Sequence, residues 1–98
     1  DGGAAMRLLL SEVAAEARLS PAAARLGDAT EAMLALEARD PDAAQGLAVA
    51  YLEACGWTLG GWMLARAAAA APDREPLAEF YLWRLLPRAT ARCIEVIE

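Results

Sequence analysis

The sequence predicts an all-α domain built as an up-down antiparallel four-helix bundle, and three observations carry that prediction. Alanine supplies about a quarter of the 98 residues, and strong helix formers dominate the remainder. Apolar residues recur at helical spacing, and no segment alternates with the period of two that a half-buried strand shows. Prolines and acids divide the chain with short connections, which favour antiparallel neighbours.

The first helix is expected over about 4–19, with Met6, Leu9, Leu10, Val13 and Ala17 as its apolar stripe. Ser20 followed by Pro21 reads as an N-cap with proline at the first helical position. The second helix, 21–39, carries Leu26, Ala29, Met33 and Leu36 on one side and continues through Gly27. Asp40, Pro41 and Asp42 stop it and cap the third, expected over 42–71. Pro72 and Asp73 end the third helix, and a fourth follows over 74–97. In that helix Leu82, Leu85, Leu86, Ala89, Cys93, Val96 and Ile97 form the core side, and Pro87 predicts a kink.

The third helix is the unusual one. It is about 45 Å long at the standard rise and apolar nearly all round, although its Tyr51–Pro72 stretch lies in a chain of net charge -5. Its bulky face, expected to be core, holds Leu47, Tyr51, Leu52, Cys55, Leu59, Trp62 and Met63. Val49, Gly56, Gly60 and Ala67 align on a thinner face, where Gly56 and Gly60 suit close helix packing or dimerisation. Trp57 and Leu64 lie on a third side, beside Glu53, and with Gly60 form the candidate interface. Trp57 would also suit a ligand pocket, though a core or interface tryptophan is the commoner case. Such a helix needs a partner outside its own bundle. It does not read as a membrane span, because Glu53 and Arg66 bracket only about a dozen uncharged residues where about twenty are needed.

Composition excludes several functions. An isoelectric point near 4.7 argues against non-specific nucleic-acid or anionic-lipid binding. With no histidine, the commonest general base and metal ligand is missing. Cys55 and Cys93 form no CxxC pair and read as reduced core residues. Ser11 sits on an amphipathic helix, Ser20 reads as a cap, and Glu12 with Glu16 makes a solvated face. Gly60–Gly61 is mid-helix, with neither a preceding strand nor a following phosphate-binding lysine. Arg84, Arg88 and Arg92 repeat every four residues, which suits a phosphate or an acidic partner but more often marks a solvated face. No catalytic, cofactor-binding or metal residue is expected. The N-terminal stretch lacks the layout of a signal peptide, so a cytoplasmic location is expected.

Two stretches, "YLEACGWTLGGWMLARAAAAA" and "EFYLWRLLPRATA", resemble the C-terminal helical domain of a subgroup of bacterial acyl-CoA dehydrogenases, the 3-methylmercaptopropionyl-CoA dehydrogenase-like enzymes. The matching positions are Tyr51, Leu52, Gly56, Gly61, Trp62, Leu64, Ala65, Arg66 and Ala67, then Phe80, Tyr81, Leu85, Leu86 and Pro87. Glu79 and Arg84 depart from the arginine and histidine common at those places. The resemblance implies that 1–98 is one domain, the C-terminal part of a larger dehydrogenase. It further implies FAD in that parent, with the catalytic and flavin sites outside this chain. The partner would be the dehydrogenase core of the same polypeptide or a second copy. A free-standing adaptor for a partner helix and a small-ligand carrier are the competing expectations.

Overall fold

A computed structural model describes residues 3–97; the ends of the expected 1–98 domain, Asp1, Gly2 and Glu98, lie outside them. Helix α1 (Ala4–Ala14) stops before its predicted end. Glu16 turns extended at φ −83° and ψ 114°, and its carboxylate accepts the Arg18 N–H at 3.2 Å, which starts a 3₁₀ turn over Ala17–Leu19. The break drives Leu19 into the core, where it is fully buried.

Helix α2 (Ser20–Arg39) follows without a gap. Ser20 is therefore not the predicted cap but the first helical residue, and that end has no side-chain cap. The preceding turn supplies the acceptor instead, because the Ser20 N–H reaches the Ala17 carbonyl. At the next boundary the prediction holds. Asp40 accepts the Ala43 N–H at 3.2 Å, and α3 (Pro41–Ala70) runs for 30 residues. It closes with the Ala71 N–H on the Ala67 carbonyl at 2.8 Å, and Pro72–Arg74 forms a second 3₁₀ turn.

The predicted fourth helix is divided. Helix α4 (Glu75–Phe80) passes through a π turn, Tyr81–Leu85, into α5 (Pro87–Ile97). Pro87 has no N–H to give and would crowd the Trp83 carbonyl in an α register. The wider turn answers this, with the Leu86 N–H bonding the Tyr81 carbonyl at 2.9 Å. The described residues contain no strand.

Helix α3 packs against α2 and α5, while α2 also packs against α5 and α1. Val13, Leu19, Leu26 and Cys93 are the large residues at the centre, and Ala89 and Val96 hold the inner side of α5 as expected. Ile97, expected with them, is exposed. Thr30 donates its hydroxyl proton to the Leu26 carbonyl at 2.8 Å. Its 2.7 Å contact with Tyr51 is thus donated by the phenol, which ties α2 to α3.

The predicted face of α3 is buried only in part: Cys55 is inside and Tyr51, Leu59 and Trp62 pack half-buried against the core, but the centre of the buried face is shifted toward small residues. Ala54, Cys55, Thr58, Gly61, Ala65 and Ala68 are inside, whereas Leu52 and Met63 are each 65% exposed. Small side chains let the helix axes approach, and the bulky residues are pushed to the rim. At Gly61 a Cβ would already lie 3.2 Å from Leu82 and Tyr81 and 3.4 Å from Leu19. Among the described residues no helix is long and apolar enough to cross a membrane.

Candidate functional site

The residues singled out by sequence converge on the middle of α3 and the segment packed over it. Trp57 is half-buried, 6.0 Å from the Tyr81 ring centroid at a tilt of 49°. The Arg88 guanidinium stands 5.2 Å from its ring centroid, a cation–π contact. Its backbone carbonyl accepts the Tyr81 hydroxyl at 2.8 Å. Trp57 is thus clasped within the chain rather than standing free. Leu64, one side over from the exposed rim, is also half-buried.

The two candidate packing glycines part company. Gly60 is closely approached, but by a side chain and not by a helix backbone. A Cβ there would meet the Tyr81 hydroxyl at 2.5 Å. Gly56, expected to pack as closely, is exposed, and a Cβ there would meet nothing within 4 Å. The π turn explains the difference, because it carries Tyr81 over Gly60 and leaves Gly56 beyond its reach.

Each arginine of the stripe is engaged within the chain. Arg84 lies 5.7 Å from the centroid of Trp83, and Arg88 covers Trp57. Arg92 bonds Glu95 at 2.8 Å and approaches Glu53 at 3.5 Å, and these carboxylates hold its guanidinium pKa above the ordinary value, Glu95 first. A groove of about 430 Å³ lies between α3 and α5, lined by Glu53, Trp57, Arg88, Ala91 and Arg92. Across it Arg92 faces Glu53, while Arg88 is held against the Trp57 ring.

The thiols are inside. Burial pushes both Cys55 and Cys93 above the usual cysteine range, and both are unbridged. Among the described residues no group of three His, Cys, Asp or Glu side chains could hold a metal ion.

By sequence Val49 and Gly56 fall on a thinner face of α3 and Leu52, Leu59 and Met63 on its core face, so they were not joined into one outward side. Val49 is 69% exposed, and with Leu52, Gly56, Leu59 and Met63 it follows alternating three- and four-residue steps. That is the a/d pattern of a coiled-coil seam. The buried Ala54, Gly61 and Ala68 repeat every seven residues at the f position, opposite that seam. The heptad spacing was the available signal.

The described residues thus form an all-helical domain with one apolar face of its longest helix turned outward. The chain belongs to the acetyl-CoA dehydrogenase C-terminal-like family, whose pattern matches residues 9–98. No curated protein and no solved structure matches it significantly.

Proposed function

We propose that this chain is the non-catalytic C-terminal structural domain of an FAD-dependent acyl-CoA dehydrogenase of the 3-methylmercaptopropionyl-CoA dehydrogenase-like subgroup. The family match across 9–98 carries the acyl-CoA dehydrogenase part of this reading, and the subgroup rests on the resemblance at Tyr51–Ala67 and Phe80–Pro87 alone. The parent would work in the cytoplasm, removing hydrogen from Cα and Cβ of an acyl-CoA thioester. When bound there, FAD accepts the hydride.

The residues of this chain do not fit the flavin. The Gly60–Gly61 pair is filled by the Tyr81, Leu82 and Leu19 side chains, so it offers no cradle for a pyrophosphate. The chain's contribution is mechanical. Helices α2, α3 and the α4–α5 stretch run up and down with the short connections the sequence predicts. In this reading the core-facing side includes Trp57, Gly60 and Leu64 of α3 and, from the segment after it, Leu77, Phe80 and Trp83. The last three are 56%, 53% and 76% exposed on α4 and the π turn.

The test is truncation and return. The dehydrogenase core produced without this segment should keep its flavin but melt at lower temperature, and adding the 98-residue chain in trans should restore the melt. A core indifferent to the segment, or a segment that binds FAD stoichiometrically, overturns the reading.

A further inference from the structure

We propose that the outward seam of α3 pairs antiparallel with the same seam of a second copy of this chain. The inference stands on the geometry of α3 and does not require the dehydrogenase reading.

The a positions of the seam are Asp42, Val49, Gly56 and Met63, and the d positions are Gln45, Leu52, Leu59 and Arg66. Seven of these eight are exposed, Leu59 being half-buried. From Asp42 to Arg66 the strip runs about 36 Å at the helical rise. It carries an acid at one end, a base at the other, and no charge between them on the seam itself.

In an antiparallel pair each a residue faces a d residue of the other copy, and one register satisfies both charge and shape. It sets Asp42 opposite Arg66 at each end, Gln45 opposite Met63, Val49 opposite Leu59, and Leu52 opposite Gly56. The exposed Leu52 then enters the open notch at Gly56, where nothing lies within 4 Å of a would-be Cβ. The two-fold axis repeats every contact, as an isologous interface requires. A parallel pair fails on the same residues. It would stack Arg66 on Arg66 and Asp42 on Asp42, and leave Gly56 facing Gly56 across a void.

The strip is one helix wide, so it buries less than the ~800 Å² per partner of a standard stable interface, and a weak, concentration-dependent dimer is expected. Sedimentation of the 98-residue chain from about 1 to 500 µM should show a monomer–dimer equilibrium. Leu52→Glu should weaken it at least about tenfold, because each substitution acts at both symmetry-related contacts. The thermal melt of that variant at low concentration should match the parent sequence, since Leu52 lies outside the core. Cross-linking then fixes the direction. A mixture of Gln45→Cys and Met63→Cys chains should form a disulfide-linked heterodimer under mild oxidation, and Gln45→Cys alone should not.

A chain that stays monomeric throughout, a dimer indifferent to Leu52→Glu, or ready homodimer cross-linking through Gln45→Cys would each overturn the proposal. Failure here leaves the truncation test of the dehydrogenase reading untouched.

Discussion

Tyr81 lies across Gly60 with its hydroxyl on the Trp57 carbonyl at 2.8 Å, so a tyrosine on the π turn occupies the space a side chain at residue 60 would take. This one contact joins the distorted segment before Pro87 to the centre of α3. It also gives the two exposed-looking glycines of α3 opposite consequences on substitution.

Gly56→Ala should stabilise the chain by about 0.5–1 kcal/mol, because alanine is the better helix former and its methyl meets open space. Gly60→Ala should forfeit that gain or destabilise, since the methyl displaces the Tyr81 hydroxyl and costs a hydrogen bond worth about 1 kcal/mol. In a Tyr81→Phe background the nearest clashing atom is gone, and Gly60→Ala should become more favourable. Urea melts of the four variants in that cycle measure the coupling. An additive result would show that residues 60 and 81 do not touch.

Thr58 is fully buried in α3, and its hydroxyl has no hydrogen-bond partner among the described residues. Thr58→Val keeps the branched shape and removes the orphaned polar group. It should leave stability unchanged or raise it by up to about 1 kcal/mol. A loss larger than about 1 kcal/mol would show that the hydroxyl is bonded in solution.

The buried thiols and phenols predict an alkaline weakness. Burial raises the folded-state pKa of Cys55, Cys93, Tyr51 and Tyr81, so the folded chain holds protons that the unfolded chain releases. Their contribution is complete below the unfolded cysteine value, about 8.5, and declines as pH rises from there through the folded values. Denaturant melts between pH 7 and 10 should show falling stability, with both thiols slow to react until unfolding. Rapid thiol labelling of the native chain at neutral pH would contradict this.

Leu26→Ala should cost about 2–5 kcal/mol through lost transfer energy and an unfilled cavity, since Leu26 is fully buried. Leu52→Ala, at an exposed rim position, should stay within about 0.5 kcal/mol at low concentration. Equal costs would mean that α3 is rotated relative to the arrangement described here.

Features under local chemical control could be read directly from the chain. Asp40 with Pro41 starts α3, and Pro72 sets its end, because a capping carboxylate and a missing N–H act within a few residues. The inner stripe of α5 at Ala89, Cys93 and Val96 was legible for the same reason, being one apolar line against charged neighbours. The excess of apolar surface on α3 was legible too, and it drew attention to the right helix. Only the tertiary structure decided which side of α3 goes inside. Periodicity ranks faces by apolar bulk, but burial depends on how closely helix axes approach, and here small residues at Ala54, Gly61 and Ala68 set that approach and turn Leu52 and Met63 outward. The break at Glu16 and the clasp of Tyr81 and Arg88 around Trp57 were likewise invisible in the sequence, and at Pro87 the distortion was legible but its form as a π turn was not. Each joins residues distant along the chain or settles a local conflict by packing, and no short-range pattern encodes that outcome.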